Sequence, residues 1–435
     1  MITALLIAAA LSLTPEPASD ASKSVADLQR EARAAYDKGD KARFLAIYED
    51  LAKRRPGDAY LLYNLACGQA INGQADAAGK TLLQLAALRA ASDIDADTDF
   101  DSIRRTAAYR AAAAKMKAVR DERVSSGVET AFTIPEKGLV PEGVAYDPKT
   151  KSFFVSSIRK REIFRVDASG KSSVFVAPRE GGLRSAAGIA VDARSRSLWV
   201  TSEAMPHMEG HVKDEPLQSA VFEFDADTGK LRRELKAPAL EKAPAFDDVS
   251  VGKDGRLWIN DGFNGRIWTL APGGSALEVF LETDRFRGTQ GIAPTPDGKT
   301  LYVSDYSGLH RVDVATKSVA RLEVPPNAAL NGVDGLVLAG TSLYAVQNGV
   351  EPNRVTRVDL SPDGARVTGA RILVMNHPAF DEPTLAVAVD GFLYVNAASQ
   401  GGKFRDEKKP ITPAEMREAV ILKVPLSPPE SAAAR

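Results

Sequence analysis

Thr289 to Asp305 reads TQGIAPTPDGKTLYVSD, and the fold follows from this phrase and its copies. Apolar residues alternate with polar ones on either side of Pro296-Asp297-Gly298, so the phrase is two strands joined by a tight turn. It recurs as PEGVAYDPKTKSFFVSS from Pro141, AAGIAVDARSRSLWVTS from Ala186 and FDDVSVGKDGRLWIND from Phe246. VDGLVLAGTSLYAV from Val333 and EPTLAVAVDGFLYVNA from Glu382 complete six copies. Third strands such as IFRVD, VFEFD, IWTL, LHRVD and VTRVD follow most of them. A period of roughly 45 residues holding four short strands is that of a propeller blade, which buries its faces only against neighbouring blades. Six copies predict a six-bladed β-propeller over residues 128–427. An early strand, Thr130 to Ile134, and a late one, Ile421 to Leu426, are expected to share the last blade and remove the open edges. Trp199, Trp258, Trp268, Tyr302 and Tyr394 then belong to the core between blades.

Upstream the pattern changes. Residues 24–120 are Ala-rich with helical spacing, and Gly39 and Gly73 stand about 34 residues apart, the tetratricopeptide period. This predicts a small all-α, tetratricopeptide-like domain ending in a helix from Ser102 to Arg120, a platform for a protein partner or an inert cap. Asp93, Asp95, Asp97, Asp99 and Asp101 alternate without the Gly and final Glu of a calcium loop. They are read as a connecting loop whose acids favour the start of the next helix. Met1 to Leu13, MITALLIAAALSL, is apolar and too short to span a bilayer. It is expected to be the core of a signal peptide, residues 1–21, placing the protein in the periplasm or outside the cell with no membrane span in the mature chain. Residues 428–435 are expected to form a disordered tail.

The 435 residues carry 56 basic and 57 acidic side chains, for a net charge of −1, which disfavours a nucleic-acid partner. Four His and one Cys exclude a sizeable His- or Cys-built metal cluster. No GxSxG elbow occurs, and no Ser-His-Asp set suggests itself. His207 and His211 lie in SEAMPHMEGHVKDEPLQ, an insertion in the second copy that would overhang the channel as a lid or stand as a solvated loop.

The informative positions precede the aligned Gly143, Gly188, Asp248, Gly291, Gly335 and Thr384. They read Glu142, Ala187, Asp247, Gln290, Asp334 and Pro383. Inner strands starting at one level converge on the channel mouth, so Glu142, Asp247, Gln290 and Asp334 should face a common centre. Crowded carboxylates stay ionised only around a cation, and an all-oxygen set suits Ca²⁺, with Mg²⁺ or Mn²⁺ as rivals. Each acid taken alone could equally cap loop amides.

Over about Gly127 to Leu426 the chain resembles the senescence-marker-protein/gluconolactonase (regucalcin-like) propellers. PEG at Pro141, DD at Asp247, QGIAPTPDGKTLYVSD from Gln290 and DGL at Asp334 carry the resemblance. It implies a divalent ion, usually calcium, on Glu142, Gln290 and Asp334, with Asp334 also the base that activates water. It places Asp247 in the substrate site with Asp248 beside it. Gln290 stands where the family has Asn, and Ala245 where it has a substrate-gripping Arg, which puts sugar-acid specificity in question. The expectation is an exported, calcium-dependent hydrolase of a lactone or related ester, with Asp334 and Asp248 catalytic and Asp247 and His207 on the substrate. The alternatives are a non-catalytic propeller with a structural channel metal, and a propeller lyase.

Overall fold

The computed structural model describes residues 23–404 and 410–427; the expected signal peptide and tail lie outside them. Five four-stranded antiparallel sheets each run in chain order, over residues 141–176, 185–236, 246–282, 289–321 and 333–375. These are blades 1 to 5. Blade 6 joins both ends of the propeller: Ala386–Val389, Phe392–Asn396, Glu418–Pro425 and, outermost, Glu129–Lys137. The expected closure is present, with longer strands than anticipated. Each interface between blades has its own apolar cluster. Trp268 and Phe246 fill one with rings 5.5 Å apart, and Trp199, Trp258 and Tyr302 are buried in theirs. Tyr394 packs at the closing interface.

The turn in the opening phrase shows the local chemistry. Asp297 accepts hydrogen bonds from Thr295 Oγ1 at 2.6 Å and Lys299 N at 3.1 Å, and Gly298 takes φ +70°. At the other end of each inner strand in blades 1 to 5 the register shifts at the column residue and its aligned neighbour, as between Pro141 and Val144 or Thr289 and Ile292. Such a bulge leaves an unpaired amide and re-aims a side chain. The second strand's serine satisfies it: Gly143 N donates to Ser156 Oγ and Gly291 N to Ser304 Oγ, both at 2.8 Å. The same hydroxyls donate onward to the next blade's column carbonyls, Ser156 to Ala187 O at 2.6 Å and Ser304 to Asp334 O at 3.1 Å. Thr201 and Asn260 do the same for Asp247 O and Gln290 O. The Ser, Thr or Asn after the apolar core of YVSD, WVTS and WIND therefore stitches blade to blade.

Five α-helices precede the ring: α1 (Val25–Asp37), α2 (Lys41–Arg54), α3 (Ala59–Ile71), α4 (Ala75–Ala87) and α5 (Ala107–Asp121). Gly39 and Gly73 turn the first two pairs at φ +73° and +74°. The last helix starts later than expected, because residues 98–106 form a 3-10 turn and loop and Thr106 caps α5 through the Tyr109 amide. The acidic run does not serve that helix start. Asp97 accepts from Tyr63, Asp99 from Tyr36 and Asp95 from Tyr109, so these acids tie the helices together. The segment packs on propeller loops at the end where inner strands begin. Ala329 and Val350 join its core, Ala91 N donates to Glu351 O at 2.7 Å, and Asn376 Nδ2 donates to Arg120 O at 2.6 Å.

Candidate active site

The column residues sit at the bulged starts of the inner strands, on the face that also carries the helices. Glu142 and Asp334 are buried; Asp247 and Gln290 are half-buried. Burial pushes the Glu142 carboxyl well above its ordinary range, and Asp334, Asp247 and Glu382 push it further. Asp247 is raised well above its range by burial and by Asp334, Asp248 and Glu203. Burial pushes Asp334 up to about 7 against the hydrogen bond from Asn348 Nδ2, with Glu382 adding to the rise. The charged neighbours acting on these three groups are all acids. Such a set is stable only if it keeps protons or gains a cation, so the oxygen donors fit a hard divalent ion.

Glu142, Asp247 and Asp334 do not bring one oxygen each within 4.8 Å of one another. Among the described residues the set that does is Cys67, Asp97 and Asp99, in the helical segment. A single ion in the mouth would therefore be held by fewer than all three column carboxylates.

Asp248 occupies the register held by glycine in four blades. In those blades a Cβ would strike the next blade, 2.5 Å from Asp247 O at Gly188 and 2.6 Å from Asp334 O at Gly291. Asp248 instead turns its carboxylate to the backbone amides of Val249, at 2.8 Å, and Ile292. Burial pushes it up to about 7 against those two bonds. It lines a cavity of about 320 Å³ enclosed by the inner strands, whose lining does not include Asp334.

Sequence reasoning missed Glu382. Blade 6 has Pro383 in the column, and Glu382, one residue earlier and at φ +67°, supplies the sixth blade's charge instead. Its carboxylate accepts from Gly402 N at 2.7 Å. Glu203 was missed as well; it is buried behind Asp247, held by Ser219 Oγ at 3.1 Å.

The insertion between the second and third strands of blade 2 reaches the loops of blades 1 and 6. Met205 packs with Val140, Ile158, Phe404, Ile411 and Met416 from blades 1 and 6. His207 is buried there beside Phe404, and a Cβ on Gly401 would meet His207 Nε2 at 3.3 Å and Glu382 Oε2 at 3.6 Å. His207 thus stands near the acidic group. His211 pairs with Glu215 at 3.0 Å, and His310 with Asp305 at 3.1 Å, away from it. Blades 3 and 4 present Phe263 and Tyr306, 75% and 65% exposed. A Cβ on Gly262, next to Phe263, would stand 3.6 Å from Asp247 Oδ2, and the Tyr306 ring lies over Gly288.

Residues 140–321 match the family described as SMP-30/Gluconolactonase/LRE-like region. This part of the ring is similar to an SMP-30/gluconolactonase/LRE-like region. It takes in Glu142, His207, Asp247, Asp248 and Gln290, and stops short of Asp334 and Glu382. Where the SMP-30/gluconolactonase-like pattern has Arg, Ala245 is buried and donates its amide to Asp261 Oδ1 at 3.2 Å, so that position brings no cation to the mouth. No curated protein matches the sequence. Among solved structures, a gluconolactonase from Xanthomonas campestris is similar at 16% identity, covering 70% of this chain and 98% of that one, with TM-score 0.47. The calcium-binding protein regucalcin from Agrobacterium tumefaciens gives 18%, 68%, 95% and 0.46. Virginiamycin B lyase from Staphylococcus aureus gives 15%, 69%, 99% and 0.45.

Proposed function

We propose that this protein is a divalent-metal-dependent hydrolase of a lactone or related ester, with calcium as the ion. The observation that carries the reading is the mutual crowding of Glu142, Asp247, Asp334 and Glu382 at the channel mouth, with no basic side chain among the charges that act on the three column acids. The SMP-30/gluconolactonase-like match over residues 140–321 supports the same class. Glu142, Gln290 and Asp334 would hold the ion. When bound, it would polarise the substrate carbonyl and lower the pKa of water.

The chain's own groups supply the rest. Asp334 takes a proton from the water that attacks the carbonyl carbon. The acyl–oxygen bond then breaks, and the departing oxygen receives that proton, giving the hydroxy acid. Asn348 holds the Asp334 carboxylate in place. Asp247 and His207 contact the substrate, and Phe263 and Tyr306 offer faces to its ring. Asp248, bonded to two amides, keeps the strand starts of blades 3 and 4 in position and acts on Asp247 through its charge.

Among the described residues no helix is long and apolar enough to cross a membrane. In this reading the Met1 to Leu13 run exports the protein to the periplasm or beyond. The tetratricopeptide-like helices would offer a protein partner the faces not spent on the propeller.

The test is metal analysis of the purified protein followed by a lactone and ester panel with and without chelator. Asp334→Ala and Glu142→Ala should each abolish calcium binding and lower hydrolysis at least a hundredfold. Turnover unchanged by chelator and by both substitutions overturns the proposal. Calcium binding without turnover on any lactone or ester leaves a ligand-binding propeller.

A further inference from the structure

The seam between helices and propeller holds a second cavity, of about 310 Å³, with the opposite electrostatic character. Its walls include Arg54, Arg55 and Asp58 from the end of α2 and the turn into α3, and Arg321, Glu323 and Asn331 from the run between blades 4 and 5. Arg54 is held by Asp50 at 2.6 Å. Arg55 and Arg321 are not neutralised in that way: among the described residues neither forms an ion pair. Arg321 gives one Nη to Ser307 O, and its buried Nε has no hydrogen-bond partner. The Arg55 guanidinium forms no hydrogen bond among the described residues.

Asp58 and Asp305 act on both arginines through their charge, but the hydrogen bonds they accept come from other groups. Asp58 Oδ1 caps α3, accepting from Tyr60 N at 3.1 Å and Leu61 N at 3.3 Å. Asp305 lies 3.1 Å from His310 Nε2 and accepts from the amides of Arg287 and Ser307, at 2.9 and 2.8 Å. Glu323 is exposed. Burial lowers the pKa of both arginines, and at Arg55 the charges of Arg321 and Arg287 lower it further, while Asp58 and Asp305 act on both in the opposite sense without overcoming burial. Half-buried guanidinium forks with unused donors are costly unless an anion takes them, and their planar geometry suits carboxylate or phosphate. The cavity walls are also held at fixed spacing, since a Cβ on Gly57 would lie 2.8 Å from Ala328 O.

We propose that this seam cavity binds a small oxyanion-bearing ligand, its carboxylate or phosphate group seated between Arg55 and Arg321. Such a ligand bridges the α2–α3 turn to blade 4 and stabilises the helices on the ring.

Full-length protein is melted and titrated calorimetrically with sodium phosphate or sodium succinate against sodium chloride at equal ionic strength. At about 100 times Kd the bound oxyanion raises the melting temperature by a few degrees. Phosphate acting alone assigns a phosphoryl ligand, and succinate acting alone a carboxylate. Arg55→Gln, which removes charge without breaking a hydrogen bond, should weaken affinity at least tenfold, and Arg321→Gln should do the same. The response should persist in Asp334→Ala, which separates it from any anion held at the channel mouth. If neither oxyanion differs from chloride, or if Arg55→Gln binds as tightly as the parent, the proposal fails.

Discussion

Glu203 shows most simply how single side chains are tuned behind the channel mouth. It is buried, is hydrogen-bonded by Ser219 and by the Phe246 backbone, and is pushed up to about 8 by burial, with Asp261 adding to the rise. Its folded-state pKa is raised above the ordinary value of 4.5, so the folded chain holds this proton more tightly than the unfolded one. The stability this gives is fully present below about 4.5 and is lost as pH rises through about 8. Glu203→Gln keeps the shape and removes the ionisation. The variant's melting temperature relative to the parent should rise by several degrees between pH 5 and pH 9. Melts of both proteins at the two pH values check this; a constant difference would mean the ionised carboxylate is tolerated. Glu142, Asp247 and Asp334 were legible in the sequence because one register repeats across the blades. Glu382 was not, because a left-handed residue ahead of Pro383 brings in a carboxylate from one position out of register. Asp248 had the right register, but spacing alone does not say that its oxygens turn to the Ile292 amide.

The inner strand is the element that makes a site out of six repeats. Its bulge aims one side chain at the mouth and requires the next residue to be small, or to hydrogen-bond across the interface as Asp248 does to Ile292 N and Thr384 Oγ1 does to Glu142 O at 2.8 Å. Gly291→Ala would place a Cβ 2.6 Å from both Asp334 O and Leu336 N, atoms of a backbone that cannot step aside. It should cost about 2–4 kcal/mol and weaken calcium binding with it, because the strand that carries Asp334 must move. Gly298→Ala is the contrast. It is strained at φ +70° but meets nothing within 4 Å, so it should cost about 1 kcal/mol and leave calcium binding alone. Denaturant melts paired with calcium titrations separate the two. Equal effects on binding would show that the glycine register does not position the acids. At this scale the repeats were readable because each blade restates one pattern, whereas the start of α5 was misplaced because its cap, Thr106, follows a 3-10 turn with no periodic signal.

Across the whole molecule the decisive feature is that the helices and the ring share a core. Blade 6 is built from both ends of the propeller, and the chain passes from α5 through a bridge between Val124 and Met375 before reaching the outermost strand of that blade. Ala329, from the approach to blade 5, and Val350, from the loop between its second and third strands, are buried among Leu and Ala residues of the helices. Arg354, nearly inaccessible, reaches from blade 5 to the Arg89 carbonyl. None of this was visible in the sequence, where the two regions read as separate patterns, because contacts between residues some 260 positions apart leave no local spacing. A seam that is apolar at its centre and hydrogen-bonded at its margin should make the two parts unfold together. Calorimetry of the full chain is therefore expected to show one transition. Val350→Asp buries an unpaired charge in the seam and should lower stability by about 3 kcal/mol or more while splitting that transition in two. The helices would melt first, since their five elements have little apolar surface to spare once Val350 and Ala329 are lost. Two well-separated transitions in the parent, neither moved by Val350→Asp, would show that the helices only rest on the ring. The Arg55–Arg321 cavity would then lose the fixed walls that its ligand needs.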